Sequence, residues 1–198
     1  MRRKSKKVYL KSVVNFIIEA GLLKRTSRSG WSVLGIQNAE SVADHSFRCA
    51  LIGFFLAQLE NMSYDKVLLM TLFNDTHEAR ITDLHKMAQR YLNIEKAEDN
   101  SFKEQISSLP ERIRERLAEM RREYKKQKSR ESIIARDADI LECLLQAKEY
   151  SESGYRNASQ FMKKAPRFLK TKSARNIWAY AKKANLNNWW VKLSEFKR

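Results

Sequence analysis

The scarcity of turn-forming residues limits most strongly the folds open to this chain. Its 198 residues include only 5 glycines and 2 prolines, which are too few to punctuate the many short strands of a sheet protein. Long stretches are instead rich in Ala, Leu, Glu, Lys and Arg, which favour helix. Hydrophobic residues make up 43% of the chain, enough to build one core. We therefore predict a single all-α domain over residues 1–198.

Apolar residues recur at helical spacing along most of the chain and predict the order of the helices. The predicted helices are residues 6–24, 42–60, 63 to about 80, 110–127 and 130–150. The stretch "VADHSFRCALIGFFLAQLE" is apolar on almost every side, so that helix should be central. Residues 81–100 are polar and are predicted to form an irregular rim or lid. The last 45 residues or so are predicted to form two or three short amphipathic helices.

The net charge of +16 is distributed unevenly. Residues 1–30 carry +8 and residues 101–198 carry +12, whereas residues 31–100 carry −4. This pattern suits an acidic metal-holding centre in a positive field that attracts phosphate-bearing ligands. For the basic run "RREYKKQKSR" alone, solvated helix faces without a specific partner are an equally good interpretation.

The cysteines and the N-terminus both bear on where the protein resides. Cys49 and Cys143 lie in apolar stretches without metal-binding spacing, so we expect free buried thiols and a reducing cytoplasm. The basic start "MRRKSKK" is similar to a signal-peptide n-region, but Asn15 and Glu19 interrupt the apolar segment that follows it. No other apolar run approaches the roughly 20 residues needed to span a membrane. We therefore expect a cytoplasmic protein without a membrane segment.

Metal-capable side chains are crowded into "LFNDTHEARITDLHK", at the end of an apolar run. They are Asp75, His77, Glu78, Asp83 and His85. A carboxylate so close to a buried face needs a partner or a metal, because uncompensated burial costs several kcal/mol. For His85, an exposed loop position is the preferred interpretation, and a lone histidine such as His45 is more often an ordinary core residue.

Two acids in the helix over residues 130–150 are separated by their helical phase. At about 100° per residue, apolar side chains surround Asp137, so periodicity buries it. Asp139 lies on a smaller, more polar face with Glu142 and Cys143, which could line a pocket. Periodicity alone leaves both acids as candidates for a site.

Three segments together resemble the HD superfamily of metal-dependent phosphohydrolases. They are "LLKRTSRSGWSVLGIQNAESVADHSFRCALIGFFLA", "NDTHEARITDLHK" and "RDADILECLLQAKEY". More closely, they resemble the small HD proteins that include bacterial 5′-deoxynucleotidases. The resemblance covers roughly residues 8–152 and implies an HD-domain helical bundle, with residues 153–198 as a C-terminal helical extension. It also implies a homodimer and hydrolysis of nucleoside 5′-monophosphates with a divalent ion such as Mn²⁺, Co²⁺ or Mg²⁺.

The resemblance also implies roles for individual residues. The implied metal positions are His45, Asn74, Asp75 and Asp139. The implied catalytic residues are Glu78 and Asp83, which handle the attacking water and the substrate, and the implied nucleotide contacts are Arg28 and Trp31. The family spacing selects Asp139 as the distal ligand and leaves Asp137 as the second choice.

Asn74 departs from the family pattern, in which a metal-ligating histidine precedes the aspartate. Asn74 could ligate weakly, His77 could supply the missing imidazole, or the site could be impaired. The leading hypothesis is a phosphohydrolase, and the alternative is an impaired nucleotide-binding sensor or interaction protein. A third hypothesis, nucleic-acid binding through the basic flanks, ranks below both because the sequence contains no recognised nucleic-acid module.

Overall fold

The computed structural model describes residues 2–191 and 193, with side chains from residue 9 onward. Over this part of the chain the fold is all-α, as predicted, and the only β-pairing is an isolated bridge between Ser27 and Ser41. The helices are α1 (Arg2–Ala20), α2 (Ser29–Ser32), α3 (Val42–Leu59), α4 (Tyr64–Phe73), α5 (Glu78–Ile81), α6 (Lys86–Gln89), α7 (Ile94–Ile106), α8 (Glu111–Lys126), α9 (Arg130–Glu152), α10 (Ser159–Lys164), α11 (Lys172–Ala181) and α12 (Asn188–Val191).

Helices α3, α4 and α9 form the centre of the bundle and pack against one another. Leu56, Met70 and Leu141, one from each helix, are fully buried in the same apolar cluster. Gly53 allows α3 and α4 to approach closely, because a Cβ atom there would lie 2.9 Å from Val67 Cγ1. The prediction of a central α3 is confirmed for the face that packs on α4 and α9, whereas the apolar face that carries Phe47 and Phe55 is exposed.

Side-chain caps fix where the central helices begin. Ser41 and Asp44 form a reciprocal capping box at the start of α3, which satisfies amide groups that the first turn leaves unpaired. Ser129 caps α9 with a single hydrogen bond, which its side chain accepts from the Ser132 amide.

The predicted helix from Ser63 to about Arg80 is wrong, because α4 ends at Phe73 and α5 begins only at Glu78. Two side chains approach the Asn74 carbonyl oxygen instead of a helical amide. Arg121 Nη1 lies 3.3 Å from it and His77 Nδ1 lies 3.0 Å from it. The Glu78 amide donates to the Asp75 carbonyl, which tightens the chain into a turn.

The predicted irregular rim over residues 81–100 is also wrong in part. It contains α6 and the first two turns of α7, whose polar sequence conceals an amphipathic face. Phe102 and Ile106 on that face are buried in the main core. Few apolar residues recur at helical spacing in this charged stretch, so the sequence signal was too weak to predict the helix.

The C-terminal helices pack onto α9 and share the main core. Leu169, Ala174 and Trp178 lie in the same buried cluster as Leu141. The prediction of short helices after residue 153 is confirmed for the described residues by α10, α11 and α12. Among the described residues, no helix combines the length and the apolar character that crossing a membrane requires.

Candidate metal centre

Three separate elements bring His45, Asp75 and Asp139 together. His45 comes from the first turn of α3, Asp75 from the turn after α4, and Asp139 from the middle of α9. His45 Nε2 lies 3.2 Å from Asp139 Oδ1 and 3.5 Å from Asp75 Oδ2. His45 and Asp75 are buried. The sequence-predicted residues from three distant segments therefore surround one imidazole nitrogen.

Glu142 fixes the orientation of the His45 ring. Its Oε2 atom lies 2.5 Å from His45 Nδ1, and Arg48 donates to Glu142 Oε1 through both Nε and Nη2. Glu142 is completely buried. A carboxylate that accepts from one ring nitrogen of a metal-binding histidine selects the tautomer that leaves the other nitrogen free. Sequence analysis missed this role, although Glu142 shares the polar face of α9 with Asp139.

The residues present fit a divalent metal ion. A cavity of about 10 Å³ separates the donor groups, and such a volume holds about one water-sized particle. The cavity is lined by His45, Cys49, Thr71, Asn74, Asp75, Tyr124, Ala135 and Asp139. When Nε2 carries no proton, its lone pair and the two carboxylates are all acceptors that face one another. Either a proton on His45 or a metal cation stabilises this arrangement, and imidazole with carboxylate suits a divalent transition metal.

The two carboxylates differ in how their surroundings affect their charge. Burial raises the pKa of Asp75 above its usual range. Burial opposes ionisation of Asp139 as well, but the contacts with His45 and Arg136 outweigh it and hold the pKa of Asp139 well below its usual range. Arg136 Nη1 donates to Asp139 Oδ2 at 2.6 Å. The surroundings therefore favour the ionised form of Asp139, which is directed at His45, and disfavour the ionised form of Asp75.

Glu78 lies at the start of α5, close enough to Asp75 to feel its charge. Burial, with added repulsion from Asp75 and Asp83, raises the pKa of Glu78 to about 10. Its Oε2 atom is buried and has no hydrogen-bond partner among the described residues. A buried carboxyl group without a partner is costly, so a ligand or water at this position would satisfy it.

Asp83 and Arg28 lie together at the edge of the site. Asp83 Oδ2 accepts the Ser29 amide at 2.8 Å and lies 4.0 Å from Arg28 Nε. Thr82 precedes Asp83 with φ 61° and ψ 168°, a region that side chains other than glycine rarely adopt. The strained turn directs Asp83 toward the loop that carries Arg28.

Trp31 is buried rather than open to a ligand, with only 3% of its surface exposed. Its ring packs against Tyr150 and Phe161, and its Nε1 donates to Glu40 Oε1 at 2.9 Å. In this conformation the interior contacts of Trp31 hold the loop that carries Arg28 in place. The predicted contact between Trp31 and a nucleotide therefore requires the indole to become exposed.

Asn74 lines the cavity beside Asp75. Its Nδ2 donates to Asp75 Oδ1 at 2.6 Å, so the amide holds the carboxylate in place. His77 does not approach His45, and its ring instead contacts the Asn74 carbonyl and Arg121. The idea that His77 supplies the missing imidazole therefore has no geometric support.

The two remaining candidates have structural roles. His85 is half-buried and accepts the Ala88 amide at 3.1 Å, so it caps α6 and is not an exposed loop histidine as expected. Asp137 is completely buried, as its helical phase predicts. Its carboxylate accepts the Lys170 and Thr171 amides and the Thr171 hydroxyl. Asp137 thus ties the C-terminal helices to α9 and faces away from His45.

A Glu142→Gln variant should bind a divalent ion roughly 10- to 100-fold more weakly, the usual loss when the partner of a metal-ligating histidine is changed. Glutamine keeps the shape but removes the charge that both Arg48 and the His45 Nδ1 proton require. Manganese titration monitored by isothermal calorimetry gives the affinity. Glu149→Gln is the matched control, since it also removes a carboxylate that pairs with Arg48 but lies farther from His45. Equal affinity in the two variants would contradict the role of Glu142.

Comparison with known proteins gives consistent similarities. The HD domain family matches residues 20–178. The 5′-deoxynucleotidase HDDC2 of Homo sapiens is 31% identical over 144 residues, which cover 72% of this chain and 70% of the human protein. A Pyrococcus horikoshii OT3 crystal structure is 32% identical with a TM-score of 0.74, over 85% of this chain and 97% of that chain. A conserved hypothetical protein from Pyrococcus furiosus is 35% identical with a TM-score of 0.71, over 86% and 99%. The residues matched by the family include every predicted site residue.

Proposed function

Because this chain belongs to the HD domain family, we propose that it is a metal-dependent phosphohydrolase that releases phosphate from nucleoside 5′-monophosphates. The observation that carries the proposal is the convergence of His45, Asp75 and Asp139 around one cavity. The nucleotide substrate is inferred from the relatives named 5′-deoxynucleotidase. Those names also favour deoxynucleotides over ribonucleotides.

The ion would be held by His45 Nε2 and by the carboxylates of Asp75 and Asp139. Membership of the family implies a divalent metal, and we propose Mn²⁺, Co²⁺ or Mg²⁺. When bound, such an ion lowers the pKa of water and stabilises the charge that develops on the phosphate. Asn74 has only a neutral amide oxygen to offer and steadies Asp75 through its Nδ2 group.

The other site residues handle the proton and the phosphate. Glu78 Oε2 has no hydrogen-bond partner among the described residues, and Glu78 lies within electrostatic range of Asp75, so we assign to it the proton of the attacking water. Arg28 presents a fork of donors that suits a phosphate group. Asp83, held by the Ser29 amide beside Arg28, would orient the substrate or protonate the leaving sugar oxygen.

The alternative of a nucleotide-binding protein without turnover is not favoured. A protein that only binds nucleotide does not need a general base. Glu78, however, lies within electrostatic range of Asp75, and its Oε2 atom has no hydrogen-bond partner among the described residues. The relatives are also named for catalysis. Among the proposed metal positions, Asn74 is thus the one that departs from the family pattern. The three donors His45, Asp75 and Asp139 remain without it.

Phosphate release from a panel of nucleotides tests the proposed function. We expect release from deoxynucleoside 5′-monophosphates that is stimulated by Mn²⁺, Co²⁺ or Mg²⁺ and abolished by EDTA. Nucleoside triphosphates and 3′-monophosphates serve as the comparison substrates. The absence of metal-stimulated release from every nucleotide, in both the parent protein and an Asn74→His variant, would overturn the proposal.

A second copy of the chain is the proposed partner. Phe47, Leu51, Phe55 and Leu59 recur every four residues along α3 and are 46–65% exposed. This stripe is about 18 Å long, and apolar patches of that kind commonly mark protein interfaces. A homodimer through α3 would cover it.

Phe55→Glu should convert a dimer into a monomer, because it places a charge in the middle of the α3 stripe. Light scattering coupled to size-exclusion chromatography gives the mass directly. Tyr91→Glu is the matched control, since Tyr91 is an exposed aromatic residue outside α3. A parent protein that elutes as a monomer at micromolar concentration would rule out the dimer.

The thiols support a cytoplasmic location. Cys49 and Cys143 are both unpaired, and Cys49 is buried. Free thiols are typical of proteins from reducing compartments. We therefore place the protein in the cytoplasm.

A further inference from the structure

We propose that the Cys143 thiolate is an additional ligand of the divalent ion, which makes good in part the imidazole that Asn74 does not supply. This inference rests on the metal-binding part of the proposed function. It concerns a residue to which neither the family pattern nor the relatives' names assign a role.

Cys143 belongs to a compact group of donor atoms. One donor atom each from His45, Asp139 and Cys143 lie within 4.8 Å of one another. The ligand atoms of one tetrahedral zinc-like ion lie roughly 3.5 Å apart, given metal–ligand bonds of about 2.0–2.3 Å. A closing movement of up to roughly 1.3 Å would therefore allow a single ion to bridge all three atoms.

The α9 helix explains why Cys143 reaches the site. Cys143 follows Asp139 by four residues, which places both side chains on one face a single turn apart. Glu142 already occupies His45 Nδ1 at 2.5 Å. The His45 nitrogen that remains for an ion shared with Asp139 and Cys143 is therefore Nε2, the same atom that approaches Asp75.

Cys49 also lies near His45, but its position does not suit ligation. Its sulfur is 3.4 Å from His45 Nε2 and 3.8 Å from Nδ1. An atom at nearly equal distances from both nitrogens lies alongside the ring. An ion bound at Nε2 lies along the Nε2 lone pair, which points away from Nδ1. The other ligands of that ion therefore lie much farther from Nδ1 than the Cys49 sulfur does.

Burial raises the pKa of the Cys143 thiol to about 11, and the Arg28 guanidinium beside it opposes that rise. Arg28 Nη2 donates to Cys143 Sγ at 3.3 Å, and a guanidinium group stabilises negative sulfur. On ligation, the Sγ–H bond breaks, the sulfur binds the ion through its electron pair, and the proton passes to solvent. Arg28 would then link the metal ligand to the phosphate that it is proposed to hold.

A sulfur ligand changes which ions the site prefers. Thiolate is a soft donor that favours Zn²⁺ and Co²⁺ over Mg²⁺, whereas carboxylate and amide oxygens favour Mg²⁺ and Mn²⁺. We therefore expect Co²⁺ to bind the parent protein more tightly than Mg²⁺. The preference should weaken when the sulfur is removed.

Cobalt spectroscopy tests the inference without any substrate. Sulfur bound to Co²⁺ gives an intense charge-transfer absorption in the near ultraviolet, which oxygen and nitrogen ligands do not give. We expect this absorption in the parent protein and in Cys49→Ala, and its loss in Cys143→Ala. Cobalt affinity should fall roughly 10-fold or more in Cys143→Ala. This loss is at least as large as the loss expected when a hydrogen-bond partner of a metal ligand is changed. Cys143→Ser serves as the second variant if Cys143→Ala does not fold.

The outcomes separate this inference from the proposed function. Cobalt binding without the absorption in the parent protein, or with the absorption retained in Cys143→Ala, would overturn the role of Cys143 and leave the metal site standing. Failure of the parent protein to bind cobalt while it binds Mn²⁺ or Mg²⁺ in equilibrium dialysis would overturn the role of Cys143 alone, and failure to bind any of the three ions would overturn both. Loss of the absorption in Cys49→Ala but not in Cys143→Ala would identify Cys49 as the sulfur ligand and refute the inference.

Discussion

Replacing Glu78 with glutamine is expected to lower kcat for phosphate release by roughly 10²- to 10⁴-fold, the usual contribution of a positioned general base. Binding of the divalent ion should remain close to that of the parent protein. Glutamine has nearly the same shape as glutamate but cannot accept a proton at neutral pH. The variant therefore separates the proton-transfer step from the assembly of the metal centre.

The environment of Glu78 explains why the effect should be large. Burial raises the pKa of Glu78 to about 10, and the Asp75 and Asp83 charges add to that rise. A divalent cation beside Asp75 opposes both effects and favours the carboxylate form. In that ionised form Glu78 presents a buried Oε2 atom, without a hydrogen-bond partner among the described residues, that can accept a proton.

Steady-state phosphate release and manganese titration of the same Glu78→Gln sample give the two quantities. Glu98→Gln is a suitable control, because Glu98 is also partly buried but pairs with Arg121. Retention of more than about a tenth of the parent kcat in Glu78→Gln would contradict the assignment of Glu78 as the base.

An Asn74→His variant is expected to bind the divalent ion at least about tenfold more tightly, which corresponds to about 1.4 kcal/mol. Asn74 lines the same cavity as His45, Asp75 and Asp139, so an imidazole at this position adds a donor that faces the ion. Transition metals prefer imidazole to a neutral amide oxygen. Phosphate release should rise together with metal occupancy at low metal concentration.

Calorimetric titration with Mn²⁺ and Co²⁺ measures the gain, and Asn74→Ala is the control. The alanine variant removes the hydrogen bond to Asp75 Oδ1 without adding a ligand, so it should bind the ion no more tightly than the parent. An Asn74→His variant with unchanged metal affinity would mean that this position does not face the ion.

The structure brings His45, Asp75 and Asp139 together, as the family spacing implies, whereas the local structure around them was predicted less well. Family spacing selected Asp139, and the structure directs Asp139 at His45 and buries Asp137 under the Lys170 and Thr171 amides. Helical phase alone separated these two acids but did not select between them as a proposed metal ligand. The family spacing made that selection, and the tertiary contact with His45 is consistent with it.

The features that the sequence did not reveal have physical causes in contacts between distant segments. The break between α4 and α5 depends on the Asn74 carbonyl, which side chains from α8 and from the turn itself approach. Trp31 is buried because Tyr150 and Phe161 cover it. Neither interaction leaves a trace in local spacing.

The contact between Glu142 and His45 was missed for a similar reason. Glu142 looked like one polar residue on a mixed helix face, and only the tertiary fold shows that Arg48 neutralises it behind the His45 ring. A buried acid paired with both a histidine and an arginine is a signal that structure reveals and periodicity does not.

Metal stoichiometry in the parent protein and in His45→Ala tests the central claim most directly. A single nitrogen of His45, Nε2, contacts both Asp75 and Asp139. Asn74 and Cys143 are the two proposed metal positions outside these contacts. Equilibrium dialysis against Mn²⁺ after removal of all metal gives the number of ions per chain. The account predicts one ion per chain in the parent protein and none in a folded His45→Ala variant. One ion bound equally tightly by both proteins would contradict it.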